Sequence, residues 1–216
     1  MIQFEQVSKR YAGHIDALSQ INFYLEQGEM AFLTGHSGAG KTTLLKLATG
    51  LEKQTSGKIV VNNTVLSNLS SRELSRFRSQ LGFIFQTPDL LQDRSVFDNV
   101  ALPLHIHGIE SAMIAKRVSA SLEMVGLLNK EKLYPQYLST GEQQRIGIAR
   151  AIVHKPALLL ADEPTGNLDP ILSTGVMKLF EQFNQFGMSI LIVTHDLSLI
   201  AGMKYRIAML KSGQLC

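Results

Sequence analysis

Eight consecutive residues, Gly35-His36-Ser37-Gly38-Ala39-Gly40-Lys41-Thr42, fit the spacing G-x-x-x-x-G-K-[ST]. That spacing suits one chemistry, the cradling of a nucleoside triphosphate. Glycines at 35, 38 and 40 let backbone N–H groups turn inward around phosphate oxygens, where a Cβ would obstruct them. A helix opening at Lys41 adds the positive end of its dipole. The Lys41 ammonium can reach the β- and γ-phosphates, and the hydroxyl of Thr42, with Thr43 beside it, can serve Mg²⁺. His36, Ser37 and Ala39 fill the variable places, and the chemistry does not require a histidine at 36.

A second candidate lies far along the chain. Leu158-Leu159-Leu160-Ala161-Asp162-Glu163 is an apolar run that ends in two acids. After a buried strand such acids can simply open a solvated loop. Beside a phosphate loop they gain a role, because Mg²⁺ keeps several waters and takes few protein ligands. Asp162 suits the metal's hydration shell, and Glu163 would then face the attacking water. Ser139-Thr140-Gly141-Glu142 reads as a helix-capping box, Ser139 the cap and Glu142 its partner three residues on. A helix start with a serine hydroxyl and a glycine amide is also an anion site.

These groups need a scaffold. Residues 30–33 read as a short buried strand before the loop, and 42–48 as a helix stopped by Gly50. Alternation at Ile2, Phe4, Ile21, Phe23 and Leu25 predicts strands over 2–34. Residues 57–66 predict two strands across an Asn62-Asn63 turn, 71–78 a helix, and 81–85 a strand. From about 87 to 155 the pattern turns helical. Residues 111–125 are amphipathic through Ile114, Val118, Leu122 and Val125, and a second helix runs from Ser139 to about 154. Residues 157–161 and 189–194 then predict buried strands around a helix over 172–186, the signature of a parallel α/β sheet. The expected architecture is a single α/β nucleotide-binding domain, its core at 1–86 and 156–216, with a helical lobe inserted at 87–155.

Composition agrees. The 216 residues are long enough for a real core, and a hydrophobic share of 45% excludes a disordered chain. A net charge of +3 with scattered basic residues argues against nucleic acid. A lone Cys216 forms no disulfide within the chain and fits a reducing compartment. No apolar run is long enough to span a membrane, and the N-terminus carries no secretory signal pattern.

Leu138-Ser139-Thr140-Gly141-Glu142-Gln143 resembles the LSGGQ or LSGGE signature of ABC-type ATPases. The order of motifs along essentially the whole chain is similar too: phosphate loop, Gln86 after a strand, signature, then the Asp162-Glu163 strand. Gly166-Asn167-Leu168-Asp169 matches the family's D-loop, His195 its switch histidine, and Tyr11 the aromatic that stacks on adenine. The resemblance implies the ABC ATPase fold, with a RecA-like P-loop core, an N-terminal antiparallel β subdomain and the helical lobe. It implies ATP hydrolysis in a homodimer, with each ATP between the phosphate loop of one copy and Ser139 and Gly141 of the other, and adds Glu142 and Asp169 to the nucleotide-binding residues. It adds Gln86 to Thr42 and Asp162 around Mg²⁺. Catalysis would rest on Glu163, His195 and Lys41. One departure stands out: Thr140 replaces the first signature glycine, and its branched Cβ would crowd an apposed loop, altering closure without abolishing activity.

Within the family, residues 32–41, 141–145 and 159–169 resemble the bacterial cell-division members. That implies an integral membrane partner, FtsX-like, docking near residues 87–104, where Phe97, Val100 and Leu102 are either its contacts or core. It also implies contact with the division-ring protein FtsZ and residence on the cytoplasmic face of the inner membrane at the division site. The same catalytic residues would serve the motor of a true transporter of the lipoprotein-release or macrolide-export type. A soluble ABC ATPase of DNA repair or translation would add coiled coils or a second ATPase domain.

Overall fold

A computed structural model describes residues 1–13 and 15–216. The N-terminal alternation forms β1 (Ile2–Tyr11) and β2 (Ile15–Leu25), antiparallel, with Phe4 opposite Phe23. The apolar run Met30–Thr34 is β3, and the phosphate loop leads into α1 (Lys41–Ala48). β4 (Ser56–Val61) and β5 (Thr64–Val65) form a hairpin across Asn62 and Asn63. Those two residues have φ of 48° and 59°, left-handed values that asparagine tolerates and this turn demands. A complete Ser70–Glu73 capping box opens α2 (Ser71–Ser79), which precedes β6 (Gly82–Ile84). Three helices follow: α3 (Val96–Ile106), α4 (Ser111–Met124) and α5 (Thr140–Ile152). The chain then alternates through β7 (Leu158–Asp162), α6 (Pro170–Gln185), β8 (Ser189–Val193) and α7 (Leu197–Ile200). β9 (Arg206–Lys211) and β10 (Gln214–Leu215) close it as a hairpin.

The described strands make two sheets. One has the order β2-β1-β4-β5 and is antiparallel; the other has the order β10-β9-β3-β8-β7-β6 and is parallel from β9 to β6. The central strands of the second are buried on both faces, which is why they read as unbroken apolar runs. Their alternation sorts the core into two clusters. Met30, Phe32, Leu159, Ala161, Ile190 and Ile192 pack against α3, α4, α5 and α6. Ala31, Leu33, Leu158, Leu160, Leu191 and Val193 pack against α1 and the antiparallel sheet.

Four elements differ from expectation or add to it. The sheet continues past 194 with β9 and β10, strands that the apolar periodicity does not announce. α6 begins two residues before the expected 172, because Asp169 caps it and Pro170 takes its first turn. α3 is a discrete helix with Pro103 inside it. On that helix Val100 is wholly buried and is core, Phe97 is half-buried against the core, and Leu102 is exposed. No described helix is long and apolar enough to cross a membrane.

Candidate functional site

β3 delivers the phosphate loop to the C-terminal edge of the parallel sheet, the usual ligand edge of such sheets. Gly35, Gly38 and Gly40 take φ of 149°, 77° and 104°. A Cβ on Gly35 would lie 2.2 Å from the Leu210 carbonyl oxygen, and one on Gly40 2.5 Å from that of Ala17. The loop is therefore folded against β9 and β2, at a distance that only glycine permits. No side chain caps the start of α1, so its first N–H groups face the loop. The buried Lys41 folds back over the loop. Its Nζ donates to the carbonyls of Gly35 at 2.7 Å and His36 at 3.1 Å, which leaves one of its three protons uncommitted.

β7 and β8 bring two acids and a histidine to the same edge. The Thr42 hydroxyl neighbours the buried Asp162 carboxylate. Burial raises the Asp162 pKa, the Thr42 hydroxyl opposes that, and the neighbouring Glu163 carboxylate raises it further, while Lys41 pulls it down. Glu163 is a non-glycine residue at φ 47°, a conformation that costs about 1–3 kcal/mol and clusters at functional sites. Its N–H donates to the Val193 carbonyl at 2.9 Å, which ties the turn to β8. Its carboxylate accepts from His195 twice: Oε1 faces Nδ1 at 2.7 Å, and Oε2 takes the backbone N–H at 3.3 Å. A carboxylate at Nδ1 fixes the proton there and leaves Nε2 as the outward nitrogen of a side chain that is 69% exposed.

One cavity of about 810 Å³ gathers most of the expected residues: Tyr11, Lys41, Thr42, Gln86, Asp162, Glu163 and His195. His36, Ser37, Gly38, Gly40 and Thr43 line it too. Gly35 and Ala39 belong to the loop but lie behind it. Tyr11 lines the cavity with the Lys9 ammonium 4.7 Å from its ring centroid. Asp16 and Ala17 also line the wall, and the motif reading did not include them. Their only sequence signal was position: they open β2, whose first residues lie against the loop at Gly40.

Ser139, Gly141, Glu142 and Asp169 do not line this cavity. Ser139 caps α5 in a complete box: its hydroxyl accepts from Glu142 N–H at 3.3 Å, and Glu142 Oε2 accepts from Ser139 N–H at 2.9 Å. Glu142 also pairs with Lys130, and that bond, more than the backbone one from Ser139, holds its carboxyl below the usual carboxylate range. Gly141 packs beside the D-loop, where an added Cβ would meet Leu168 at 3.3 Å. Asp169 caps α6, accepting from Ile171 and Leu172 N–H groups at 3.0 and 2.9 Å. The segment around Gln86 is clasped by α5: Gln144 Nε2 donates to the Phe85 carbonyl at 3.2 Å, and Arg150 donates to the carbonyls of Pro88 and Asp89. Asn167 Nδ2 reaches the Gln86 carbonyl at 3.4 Å.

Comparison with known proteins gives a consistent picture. The model of the family described as "ABC transporter" matches residues 18–166. The cell division ATP-binding protein FtsE of Escherichia coli K12 is 55% identical over 215 residues, covering 100% of this chain and 97% of that protein. FtsE of Haemophilus influenzae is 54% identical over 201 residues, 93% of this chain and 92% of its own length. Among solved structures, a dimeric bacterial ABC transporter cassette superposes with a TM-score of 0.94 at 34% identity, covering 100% of this chain and 96% of that one. A dimeric post-hydrolysis state of an ATP-binding cassette, bound to ADP and Pi, superposes equally well at 32% identity, with the same coverage of both chains.

Proposed function

The chain belongs to the ABC transporter family, and from that premise we propose that it is the ATP-binding, ATP-hydrolysing subunit of a membrane-coupled machine of bacterial cell division. The observation that carries the enzymatic part is the meeting of Lys41, Thr42, Asp162, Glu163 and His195 in one cavity. Full-length identity of 55% to FtsE carries the cellular part.

The residues divide the work by chemistry. Phosphoryl transfer is achieved mainly by positioning and by stabilising charge. Backbone N–H groups of residues 35–42 and the Lys41 ammonium would hold the β- and γ-phosphates, and Tyr11 would stack on the base. A Mg²⁺ ion fits the donor set: two adjacent buried carboxylates call for a cation, Asp162 and the Thr42 hydroxyl line the same cavity, and Mg²⁺ takes few protein ligands. Thr42, Asp162 and Gln86 would hold it, and when bound it would supply neutralisation of phosphate charge. Glu163, fixed by β8 and His195, would orient the attacking water and draw off its proton. His195 would offer Nε2 to the γ-phosphate while its Nδ1 keeps Glu163 in place.

Ser139, Gly141, Glu142 and Asp169 lie outside this cavity, and the reading assigns them to the nucleotide of a second copy. The core, 1–86 and 156–216, and the lobe, 87–155, would then be the parts whose relative position changes with nucleotide. An FtsX-like membrane protein would dock near residues 87–104, where Leu91 and Leu102 are exposed, with FtsZ a further contact. The protein would sit on the cytoplasmic face of the inner membrane at the division site and transmit motion that activates wall hydrolysis.

Glu163→Gln tests the enzymatic core. ATPase activity should fall by about 10²–10⁴, and ATP should trap a dimer visible by light scattering. Hydrolysis at the parent rate would overturn the assignment. Co-purification with an FtsX-like protein, and stimulation of ATPase activity by it, tests the cellular part.

A further inference from the structure

On the side of the molecule away from the nucleotide cavity lies a second large concavity, of about 790 Å³. It runs between α4, the end of α5 and the end of α6, and it reaches Pro156 and Ala157 at the start of β7 and Met188 just before β8. It therefore opens at the N-terminal edge of the parallel sheet, whereas the phosphate loop and the acids occupy the C-terminal edge. Its floor is apolar, with Val153 buried and Phe183 packed against the core. Its rim is apolar as well, and wet: Phe186 is 90% exposed, Met124 55% and Met113 44%. Contiguous exposed apolar surface of this kind marks an interaction site.

Charge narrows the partner. Lys116, Arg117 and Lys155 line the concavity, and among the described residues no carboxylate does. None of the three cations makes an ion pair or side-chain hydrogen bond among the described residues. Shape narrows it further. A bilayer is flat and would touch Phe186 and the methionine tips but not the floor, whereas an amphipathic helix presents a ridge at i, i+3, i+4 and i+7 that fills a groove. Methionine rims adapt to such ridges.

We propose that this groove binds an amphipathic helix of a partner protein whose apolar ridge is flanked by aspartate or glutamate. The helix would seat between Phe186 and Met124, with its acids toward Lys116, Arg117 and Lys155. Such a contact leaves the nucleotide cavity and the segment 87–104 open, so it would recruit the protein without competing with ATP.

The test uses the full chain and a labelled helical peptide of about 18 residues, five turns long, with leucines at i, i+3, i+4 and i+7 and glutamates alongside. A twin carries lysines in place of the glutamates. Fluorescence anisotropy should show the acidic peptide binding at least about tenfold tighter than its twin, weakening as salt rises. Phe186→Asp and the double change Lys116→Glu, Arg117→Glu should each weaken it about tenfold or more while ATPase activity stays at the parent level. The proposal is overturned if the acidic peptide does not bind, if both peptides bind alike, or if Phe186→Asp leaves binding unchanged. It is equally overturned if Phe186 instead governs pelleting with phosphatidylglycerol vesicles that the peptide does not compete away, or governs self-association of the chain.

Discussion

Arg150 donates a 3.2 Å hydrogen bond to the carbonyl of Asp89, a non-glycine residue held at φ 41°. The same guanidinium donates to the Pro88 carbonyl, and Gly147, one turn earlier on α5, lies so close to Pro88 that a Cβ there would meet the proline Cβ at 2.8 Å. With Gln144 on the Phe85 carbonyl, three positions on one face of α5 grip the loop that carries Gln86. Ser139 caps that same helix. The loop and the signature serine are thus borne by one rigid element.

Loosening this grip should separate turnover from binding. Arg150→Met removes charge-assisted bonds worth about 1.5–3 kcal/mol. We expect kcat to fall about tenfold or more, with ATP affinity within about threefold, since Lys41 and the loop glycines are untouched. Gly147→Ala should act in the same direction through Pro88. Steady-state ATPase assays beside binding of a fluorescent ATP analogue check both; an unchanged kcat in both variants would show that the grip is only structural.

Asp162 is poised for function at a cost in stability. Burial and the adjacent Glu163 carboxylate both disfavour its charge. Asp162→Asn keeps the acceptor for Thr42 and removes the buried charge. It should melt at the same temperature or higher, while ATPase activity drops by at least about a hundredfold. A loss of both in proportion would mean that the carboxylate is needed for folding instead.

Two glycines of the phosphate loop should answer alanine differently. Around Gly38 there is open space, so Gly38→Ala meets only its φ of 77° and should cost about 1–2 kcal/mol. Gly35→Ala adds a collision with the Leu210 carbonyl at 2.2 Å. It should destabilise more and abolish ATP binding by displacing β9. Urea unfolding and nucleotide titration of the two variants make the comparison, and equal effects would contradict the packing described.

His154 predicts an acid-side loss of stability. Burial, then the charge of the stacked His107 ring 5.4 Å away, lower its pKa to about 4, against which the Leu81 backbone pulls weakly without forming a well-aligned hydrogen bond. The unfolded chain, with an ordinary histidine pKa of about 6.5, binds the proton more readily than the fold does. Between pH 6.5 and 4 stability should therefore decline as pH falls, and the contribution is fully present above 6.5. Urea unfolding at pH 7 and pH 5 should show a smaller difference in His154→Leu than in the parent; an identical difference would place the acid sensitivity elsewhere.

Motifs were the legible part of this sequence, and so were elements whose burial follows a simple period. The runs at β3, β7 and β8 announce themselves because both faces are covered, and Asn62-Asn63 announces its turn because few residues accept two left-handed positions. β9 escaped for the opposite reason: Ile207 and Met209 point to solvent and Leu210 inward, so its alternation carries no apolar face to read. Ser212 and Gly213, at φ 46° and 77°, were the available sign of its hairpin. α3 was blurred by Pro103 and by Asn99, a wholly buried amide that donates to the carbonyls of Leu91, Arg94 and Ser95. Among site residues, Asp16 and Ala17 were invisible because tertiary folding, and no local pattern, lays the start of β2 against the phosphate loop.

The dependence of the phosphate loop on β9 and β10 has a consequence for the order in which the protein is made. The Leu210 carbonyl backs Gly35, Gly213 N–H donates to the Ala39 carbonyl at 3.1 Å, and Thr34 pairs with Met209. A nascent chain that has emerged only as far as α7 already contains Lys41, Asp162, Glu163 and His195, yet lacks the wall against which the loop is shaped. A domain folds as a unit, so the loop takes its shape only once these last strands are present. A polypeptide still short of them on the ribosome would be shielded from closing on ATP before its fold is finished.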